Sequence, residues 1–419
     1  MNRTQHRAAL GLAVSLVLVL AGCSTKAGEA KDTSGSDGVK TGPGVTADAI
    51  SLGILTDITG PAASLGKPAL QAEQIYVDQV NAAGGVCGRK LKLVVRDHGY
   101  DVQKAVAAYA EIQPEIAALT QMVGSSQTAA LLDSFEKDKV LTIPLGSSAA
   151  LLGRPHVRLI GSTYAIDAVN GMSFIVGKAK LKKGDKVGAV HLEGEAGNAF
   201  EGYRFAAEKS GLKVVEQVIK PTDTDLTAQV TALKAAGVKA VVLAGLPAQT
   251  ASLVGVAAAS GLKVPVLSTG IGYVPQLLDS PAKPALEKML WVVSAYPAMS
   301  SENPAVVKAV KDYKAAYPND KVNQGVQVGT ANGAVTVGAL KEACKAKDLS
   351  RDGITAAMAR LTNFTTDVAE PQNLSDNAEA SSRNSFVLQP DAGVPGGLKS
   401  VKEAVESPLV AEFLASSGN

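Results

Sequence analysis

The stretch Ile50–Asp101, with the sequence ISLGILTDITGPAASLGKPALQAEQIYVDQVNAAGGVCGRKLKLVVRDHGYD, decides the fold of this chain of 419 residues. It begins with a short apolar run, continues with small and apolar residues at the spacing of one helical face, and ends with a second apolar run, Leu91–Val95. This order predicts a strand, a helix and a strand parallel to the first. The stretch therefore predicts an α/β fold in which helices cover a parallel sheet. Ligands of such sheets bind beyond the carboxyl ends of the strands, which here is the segment Asp57–Gly66.

The same alternation of strands and helices continues along the chain and predicts two doubly wound parallel-sheet lobes. The predicted elements include a helix at Val102–Ile112, a helix that begins at Asp167 and a strand at Ala240–Ala244. We expect the chain to cross into the second lobe at Ile160–Thr163 and to return at Trp291–Ser294. A last strand, Ser385–Gln389, is expected to join the second lobe, which makes a third crossing. The predicted division is residues 46–163 and 295–362 for the first lobe and residues 164–294 and 363–419 for the second.

The amino terminus has the features of an export signal with a lipid attachment site. Two arginines precede an apolar run, Ala8–Leu20, which is too short to span a bilayer comfortably. The run ends in Leu-Ala-Gly followed by Cys23, a pattern that resembles the lipobox of bacterial lipoproteins. This resemblance implies a signal peptide at residues 1–22 and a lipid on Cys23; an ordinary signal peptide followed by a chance cysteine is the alternative. Residues 23–45, rich in Gly, Ser, Lys and Asp, are predicted to be a flexible tether.

The composition argues against several classes of function. The net charge is +2, and no basic run is interleaved with aromatic residues, which argues against nucleic-acid binding. The four histidines have no metal-ligand spacing, and no set of nucleophile, base and orienting group is present. The segment Gly60–Pro68 imitates a phosphate-binding loop, but five residues separate its glycines and proline stands where the loop needs a hydroxyl. We therefore predict that the protein is not an enzyme and has neither cofactor nor metal.

Two serine-bearing loops follow neighbouring strands of the predicted first lobe. Ser125 and Ser126 follow one strand and open a helix predicted to continue through Glu136. Ser147 follows the next strand, Val140–Pro144. Hydroxyl groups at the start of a helix can cap it, and the free N–H groups there favour an anion. Capping alone and the binding of an anionic ligand group are the two interpretations that remain open.

Two segments carry a resemblance to a known family. They are the quoted stretch, in which TGP follows the first strand and NAAGG-x-x-GRKL leads into the second, and TDTDLTAQVTALKAAGVKAVVLAG at Thr222–Gly245. Both resemble the amino-acid-type solute-binding proteins of ATP-driven importers, of which the leucine/isoleucine/valine-binding proteins are the best known. The resemblance covers residues 50–388 and implies the periplasmic-binding-protein type I fold, whose lobes are joined by a three-crossing hinge. It also implies that a serine at Ser125 or Ser126 holds the ligand's carboxylate and that Ser147 supplies a second ligand-binding hydroxyl.

The rest of the predicted cleft departs from the family's pattern. The family's ammonium-binding acid follows the strand that matches Val264–Leu267, where this sequence has no acid in Ser268–Gly272. The family's three tyrosines fall near Leu65, Ala196 and Leu246. A buried ammonium without a carboxylate or an aromatic face would be strongly disfavoured. Either another acid replaces the missing one, the candidates being Glu193, Glu195 and Asp167, or the ligand is not a conventional α-amino acid. We favour the second interpretation, with a small carboxylate, amide or other modest polar metabolite as ligand, held by second-lobe loops near Glu193, Leu246 and Thr269.

Two cysteines remain if Cys23 carries a lipid. Cys87 and Cys344 would then lie in an oxidising compartment, and the family's topology implies that both belong to the first lobe. A disulfide and two unpaired thiols are the alternatives, and we predict the disulfide.

Together these features predict a lipid-anchored receptor on the extracytoplasmic face of the cell membrane. We expect a monomer that captures a small molecule by lobe closure and delivers it to the permease of an ABC-type importer. One alternative is a ligand-sensing domain for a signalling partner. The other is an extracellular hydrolase, which the missing catalytic set disfavours.

Overall fold

The alternating pattern of the sequence folds, in a computed structural model, into two lobes of sheet and covering helices. The structure describes residues 33–34, 37–194, 198–366 and 368–417. The strands are β1 Thr33–Ser34, β2 Lys40–Thr41, β3 Ala49–Thr56, β4 Lys90–Asp97, β5 Ala118–Met122, β6 Thr142–Pro144, β7 Lys186–Leu192, β8 Lys213–Ile219, β9 Ala240–Ala244, β10 Val266–Thr269, β11 Leu290–Ser294, β12 Asp348–Leu349, β13 Ser385–Pro390 and β14 Leu398–Val405. The α-helices are α1 Ala63–Ala82, α2 Val102–Ile112, α3 Ser125–Ala129, α4 Leu132–Asp138, α5 Tyr164–Lys178, α6 Ala199–Lys209, α7 Thr227–Ala236, α8 Pro247–Ser260, α9 Lys283–Met289, α10 Pro304–Ala316, α11 Gln324–Lys345, α12 Arg351–Met358 and α13 Pro408–Ser417.

The first lobe is built on the strand–helix–strand unit that the sequence predicts. Its sheet has the strand order β4-β3-β5-β6, and all of these pairings are parallel. Helices α1 and α11 pack on one face of the sheet, and α2 and α4 pack on the other. Because both faces are covered, β3 is buried at every residue except Ser51. An almost continuous apolar strand of this kind is typical of the middle of a parallel sheet.

The second lobe contains a larger sheet with the order β14-β13-β11-β10-β9-β7-β8. Its five strands from β7 to β11 are parallel, whereas β13 and β14 run antiparallel at one edge. Helices α5, α6 and α13 cover one face, and α7, α8 and α9 cover the other. The predicted fold of two doubly wound lobes is confirmed. The sequence did not predict β14 or α13, which extend the second lobe beyond the predicted last strand.

The third crossing lies later in the chain than we predicted. Residues 363–374 were expected in the second lobe, but Phe364, Val368 and Leu374 pack into the first-lobe core beside α11. The hydroxyl of Ser381 still donates a hydrogen bond of 2.9 Å to a first-lobe carbonyl, and Ser385 begins β13. The chain therefore crosses between these two serines, because the three apolar side chains before them pack against the first-lobe core.

The described part of the predicted tether is folded against the first lobe. Strand β2 pairs in parallel with β12, and Val39 is buried. The carboxylate of Asp37 forms an ion pair of 2.8 Å with the buried Arg89. The predicted tether, residues 23–45, therefore extends too far along the chain, because its last residues, from Asp37 onward, belong to the folded first lobe. The predicted signal peptide and lipidation site, residues 1–23, lie outside the described residues. None of the helices in the described ranges is both long and apolar enough to cross a membrane.

Helices α1 and α11 approach each other closely at a glycine. A Cβ atom on Gly329 would lie 2.0 Å from the carbonyl oxygen of Ala69, so a larger residue would force the helices apart. Asn323 attaches the beginning of α11 to the same region, because its side-chain N–H donates to the Ser64 carbonyl oxygen at 2.7 Å. This packing holds the first turn of α11 at the edge of the first lobe that faces the second.

A buried carboxyl group lies between the same two helices and the sheet. Glu73 on α1 is fully buried, and its Oε1 accepts a hydrogen bond of 2.6 Å from the Thr120 hydroxyl on β5. That hydroxyl lies 2.7 Å from the one of Thr336 on α11, while Oε2 of Glu73 has no partner among the described residues. Burial raises the pKa of Glu73 to about 8, so the core holds this group as a neutral acid at neutral pH.

The structure joins Cys87 to Cys344 by a disulfide, with the two Cα atoms 6.0 Å apart. Cys87 lies in the loop after α1, and Cys344 lies in the last turn of α11. The bond therefore clamps the ends of this helix pair that are farthest from the second lobe.

Replacing both cysteines by serine is expected to lower the free energy of unfolding by about 4 kcal/mol, the upper end of the usual range, because the bond restricts the conformations of a long loop in the unfolded chain. The loop is long because 257 residues separate the two positions. Urea unfolding of the oxidised protein and of the variant measures the difference, and reduced wild type should match the variant. Two free thiols in the unfolded, unreduced protein, titrated without Cys23, would contradict the disulfide.

Candidate ligand-binding cleft

A cleft of about 840 Å³ lies between the lobes, at the carboxyl ends of both sheets. This volume includes space that is open to solvent. The first lobe lines it with Ala62, Leu65, Tyr100, Val123, Gly124, Ser125, Leu145, Gly146, Ser147, Gln324, Gly325 and Val328. The second lobe and the hinge line it with Tyr164, Asp167, Leu246, Gly270, Ile271, Ser294, Ala295 and Tyr296. Among these lining residues, Asp167 alone is charged, and most of the others are apolar or small.

The loop after β3 is held in a fixed shape by one carboxylate. Asp57 is buried and accepts hydrogen bonds from the backbone N–H groups of Thr59, Gly60 and Ala62, at 3.2, 2.5 and 2.8 Å. The loop therefore turns directly into α1 and presents Ala62 and Leu65 to the cleft. The predicted ligand-facing segment, Asp57–Gly66, thus contributes apolar side chains to the cleft. Its one acid, Asp57, binds backbone N–H groups of its own loop.

The two predicted serine loops meet at a tyrosine. Tyr164, the first residue of α5, donates its backbone N–H to the Ser147 carbonyl oxygen at 2.9 Å. Its phenol lies beside the Ser125 side chain and the Ser147 backbone, and both act to lower the pKa of the phenol. Burial raises the pKa of the phenol, and these two contacts partly offset the rise. The cluster therefore brings a serine hydroxyl and a phenol to the lining of the cleft, where both can donate to an oxygen-bearing group of a ligand.

The helix that follows the first serine loop is shorter than predicted. Helix α3 ends at Ala129. The Leu131 N–H then donates to the Thr128 carbonyl oxygen at 3.0 Å, which forms a turn before α4 begins. The N-cap position of α3 is a glycine, and no side chain caps the helix. Capping therefore does not explain the presence of Ser125 or Ser126.

Three tyrosines line the cleft, at positions other than those implied by the family. Tyr100 follows β4, with its backbone in the left-handed region at φ 64°, and its N–H donates to His98 Nδ1 at 3.1 Å. Tyr296 follows β11, and its N–H donates to the Ser294 hydroxyl at 2.9 Å. Burial raises the pKa of both phenols, as it does for Tyr164, so all three are neutral donors in the physiological range.

The start of α11 contacts the second lobe through a glutamine. The side-chain N–H of Gln324 donates to the Ser294 hydroxyl at 2.6 Å. A Cβ atom on Gly270 would lie 2.6 Å from Gln324 Oε1, so the small residue after β10 makes room for this amide. The contact ties the first-lobe helix to the end of a second-lobe strand.

Asp167 lies one helical turn after Tyr164 on α5. The carboxyl group is buried and accepts hydrogen bonds from the hydroxyls of Ser162 and Ser385, the latter at 2.6 Å. Burial raises its pKa to about 6, and the two hydroxyl donors oppose the rise. Since its donors lie on the first and third crossings, this carboxyl group connects two strands of the hinge.

The structure brings together four of the eight predicted ligand-binding positions, namely Leu65, Ser125, Ser147 and Leu246. Thr269 ends β10 and is buried behind the lining, with its hydroxyl unpaired. Ser126 is half-buried and faces the loop at Gly194. A Cβ atom added to Gly194 would lie 3.9 Å from the Oγ of Ser126. Glu193 is exposed outside the lining, and Ala196, like Glu195, lies outside the described residues.

Sequence reasoning missed the three tyrosines and Gln324 and considered Asp167 only as a replacement acid. Each of the three tyrosines and Gln324 follows a strand or starts a helix at the predicted ligand-binding edge. This position is the signal that could have identified them. The result is a cleft lined by several hydrogen-bonding side chains and otherwise by apolar or small residues.

Two parallel-sheet lobes, joined at three crossings around such a cleft, define a bilobal solute-binding protein. The profile of the periplasmic binding protein family matches residues 49–394. The chain belongs to this family, whose members are substrate-binding proteins of transport systems, and the predicted similarity to the leucine/isoleucine/valine-binding proteins is confirmed.

The names of this chain's relatives give different ligands. It is 27% identical over 299 residues to a leucine-, isoleucine-, valine-, threonine- and alanine-binding protein of Pseudomonas aeruginosa, covering 70% of this chain and 78% of that one. It is 42% identical to the solved fatty acid ABC transporter substrate-binding protein of Thermomonospora curvata, with TM-score 0.89 over 90% of this chain and 98% of that one. A branched-chain amino acid ABC transporter protein of Thermus thermophilus with bound valine, 21% identical, shares the fold, with TM-score 0.79 over 90% of this chain and 100% of that one.

Proposed function

We propose that this protein is the receptor of an ABC importer for a monocarboxylate with an apolar tail, of the fatty acid class. The observation that carries the proposal is the composition of the cleft. Its donor cluster of Ser125, Ser147 and Tyr164 suits a carboxylate, and the remaining lining is mostly apolar. The name of the relative from Thermomonospora curvata points to the same ligand class.

The chemistry of the lining favours this class over a polar metabolite. A carboxylate keeps its hydrogen bonds at the donor cluster, and charge-assisted bonds of this kind are the strong ones. The tail would lie against Leu65, Leu246, Ile271 and Val328, which come from both lobes. Closure of the lobes about the hinge would remove this apolar surface from water, and a closed form is what a permease can distinguish from an open one.

We propose the membrane context on the sequence alone. Cys23 would carry the lipid anchor on the extracytoplasmic face, and the folded lobes would work as a monomer that presents its ligand to the permease. An α-amino acid receptor is the second candidate function, because Asp167 lies in the cleft and could meet an ammonium group.

A ligand series separates these candidates. We expect linear fatty acids to raise the thermal unfolding midpoint of the purified chain and their affinity to rise about fourfold for each added methylene, until the cleft is full. Methyl esters of the same acids, which lack the carboxylate, serve as the matched control and should bind much more weakly. A midpoint raised by leucine or valine but by no fatty acid would contradict the proposal and support the amino acid receptor.

A further inference from the structure

Asp167 is an acidic group in a cleft that, on the proposed function, binds an acid. Its side chain lines the cleft, although the residue is only 6% exposed. No lysine, arginine or histidine is among the cleft's lining residues. A carboxylate ligand that entered beside an ionised Asp167 would therefore create two negative charges without a cation, in surroundings from which most water is excluded.

The two oxygens of Asp167 have different surroundings. Oδ1 accepts both hydrogen bonds, from the Ser162 hydroxyl and from the Ser385 hydroxyl. Ser385 in turn accepts a hydrogen bond of 2.8 Å from the Asn170 side chain, which leaves its own proton for Asp167. Oδ2 has no hydrogen-bond partner in the described part of the chain, and it is not among the fully enclosed unpaired atoms. Oδ2 is thus the atom left to meet a ligand.

The groups that face Asp167 from the surrounding elements are neutral. They are the phenols of Tyr164 on α5, Tyr203 on α6 and Tyr296 after β11, together with the amide and hydroxyls already named. Arg383, the charged residue nearest in sequence to Ser385 on the third crossing, is half-buried, and its guanidinium group pairs with the Glu379 carboxylate at 2.9 Å. In the described residues no cationic group stabilises the ionised form of Asp167.

We propose that Asp167 contacts the ligand's head group as a neutral carboxyl group, so that each captured carboxylate brings one proton from solvent into the cleft. The proton is bound at Oδ2, and the resulting O–H donates to a carboxylate oxygen of the ligand. The complex then holds one negative charge shared between two carboxyl groups, hydrogen-bonded to the hydroxyls around them. Two carboxyl groups that share a site hold a proton in this way because both cannot ionise together.

The proton is available at moderate cost, since burial, opposed by the two hydroxyl donors, already raises the pKa of Asp167 to about 6 without a ligand. A bound carboxylate raises this pKa further, so the neutral form is favoured in the complex at higher pH. Affinity for a carboxylate should be greatest below pH 6 and should fall about tenfold for each unit of pH above it. An ammonium-bearing ligand would show the opposite dependence, because it prefers the ionised form. Asp167 thereby selects between the two ligand classes.

Calorimetric titration of the full chain with decanoate tests this inference. The titrations cover about pH 5.5 to about pH 8.5, in which a carboxylic acid ligand is ionised, and use two buffers that differ in ionisation enthalpy. Wild type at pH 7.5 should take up about one proton per ligand. Asparagine in Asp167→Asn has the shape of the neutral carboxyl group and can donate an N–H to the ligand. This variant should therefore bind decanoate with an affinity independent of pH and without proton uptake. Glu412→Gln, which removes an exposed carboxylate on the outer face, should behave as wild type.

The outcomes separate this inference from the proposed function. Decanoate binding with no proton uptake and no pH dependence in wild type would overturn the role of Asp167 and leave the ligand class standing. The same holds if Asp167→Asn keeps the wild-type proton uptake. Failure of decanoate to bind at any pH, with leucine binding more tightly as pH rises, would overturn both. The proton count in wild type decides the question even if the variant does not fold.

Discussion

Replacing Ser125 by alanine and Tyr164 by phenylalanine together is expected to weaken carboxylate binding by at least about a hundredfold. Each substitution removes one donor of the cluster at which the two serine loops meet. Hydrogen bonds to a charged group contribute about 1.5–3 kcal/mol each, and a bound carboxylate would lose two of them. Little else compensates, because the lining contains no cation.

Calorimetry with decanoate at pH 6 measures the loss, and the unliganded melting curve shows whether the variant is folded. Ser126→Ala is the informative comparison, because this neighbouring hydroxyl lies outside the lining. We expect it to change the affinity by less than about threefold. A hundredfold loss in Ser126→Ala, with Ser125→Ala unaffected, would show that the ligand's carboxylate binds beside Ser126 instead of at the donor cluster.

Replacing Glu73 by glutamine is expected to remove most of one pH-dependent contribution to stability. The pKa of Glu73 is about 8 in the folded protein, against the usual 4.5. Because the folded state holds the proton more tightly, this contribution is fully present below pH 4.5 and is lost as pH rises to 8. One unit of pKa corresponds to 1.36 kcal/mol, so the loss amounts to about 4 kcal/mol over this interval. Glutamine has no proton to release and should show no such loss.

Urea unfolding at a series of pH values gives this difference directly. The free energy of unfolding should fall less steeply with pH in Glu73→Gln than in wild type, and the gap should widen up to pH 8. Glu302→Gln removes an exposed carboxylate and should keep the wild-type slope. Parallel curves for wild type and Glu73→Gln would mean that Glu73 titrates normally in the folded protein.

Elements with a continuous apolar face could be predicted from the sequence. Strand β9 matches its predicted bounds, because Ala240–Ala244 is an apolar run between Lys239 and a glycine. Helix α2 also matches, because Asp101 caps it by accepting a hydrogen bond from the Lys104 N–H. Strand β14 was missed for the opposite reason. It lies at the sheet edge with mostly exposed side chains, so it has no apolar pattern.

The cleft was only partly predictable, because its chemistry depends on where one helix begins. We expected α5 to start at Asp167, but Thr163 caps it by accepting from the Ile166 N–H at 3.2 Å, so it starts at Tyr164. The earlier start places Tyr164 and Asp167 on successive turns that face the cleft. The serine positions needed no such detail, because they follow directly from the ends of two strands.

The clamp between Cys87 and Cys344 also constrains the order in which the chain can gain structure. The two cysteines stand on either side of residues 164–294, which supply strands β7 to β11 from one continuous segment. The second-lobe sheet therefore has most of its neighbours nearby in sequence, whereas the first lobe must wait for α11 to arrive from a distant part of the chain. We therefore expect the disulfide to close late in folding, after the second-lobe sheet has formed and α11 has packed onto the first lobe.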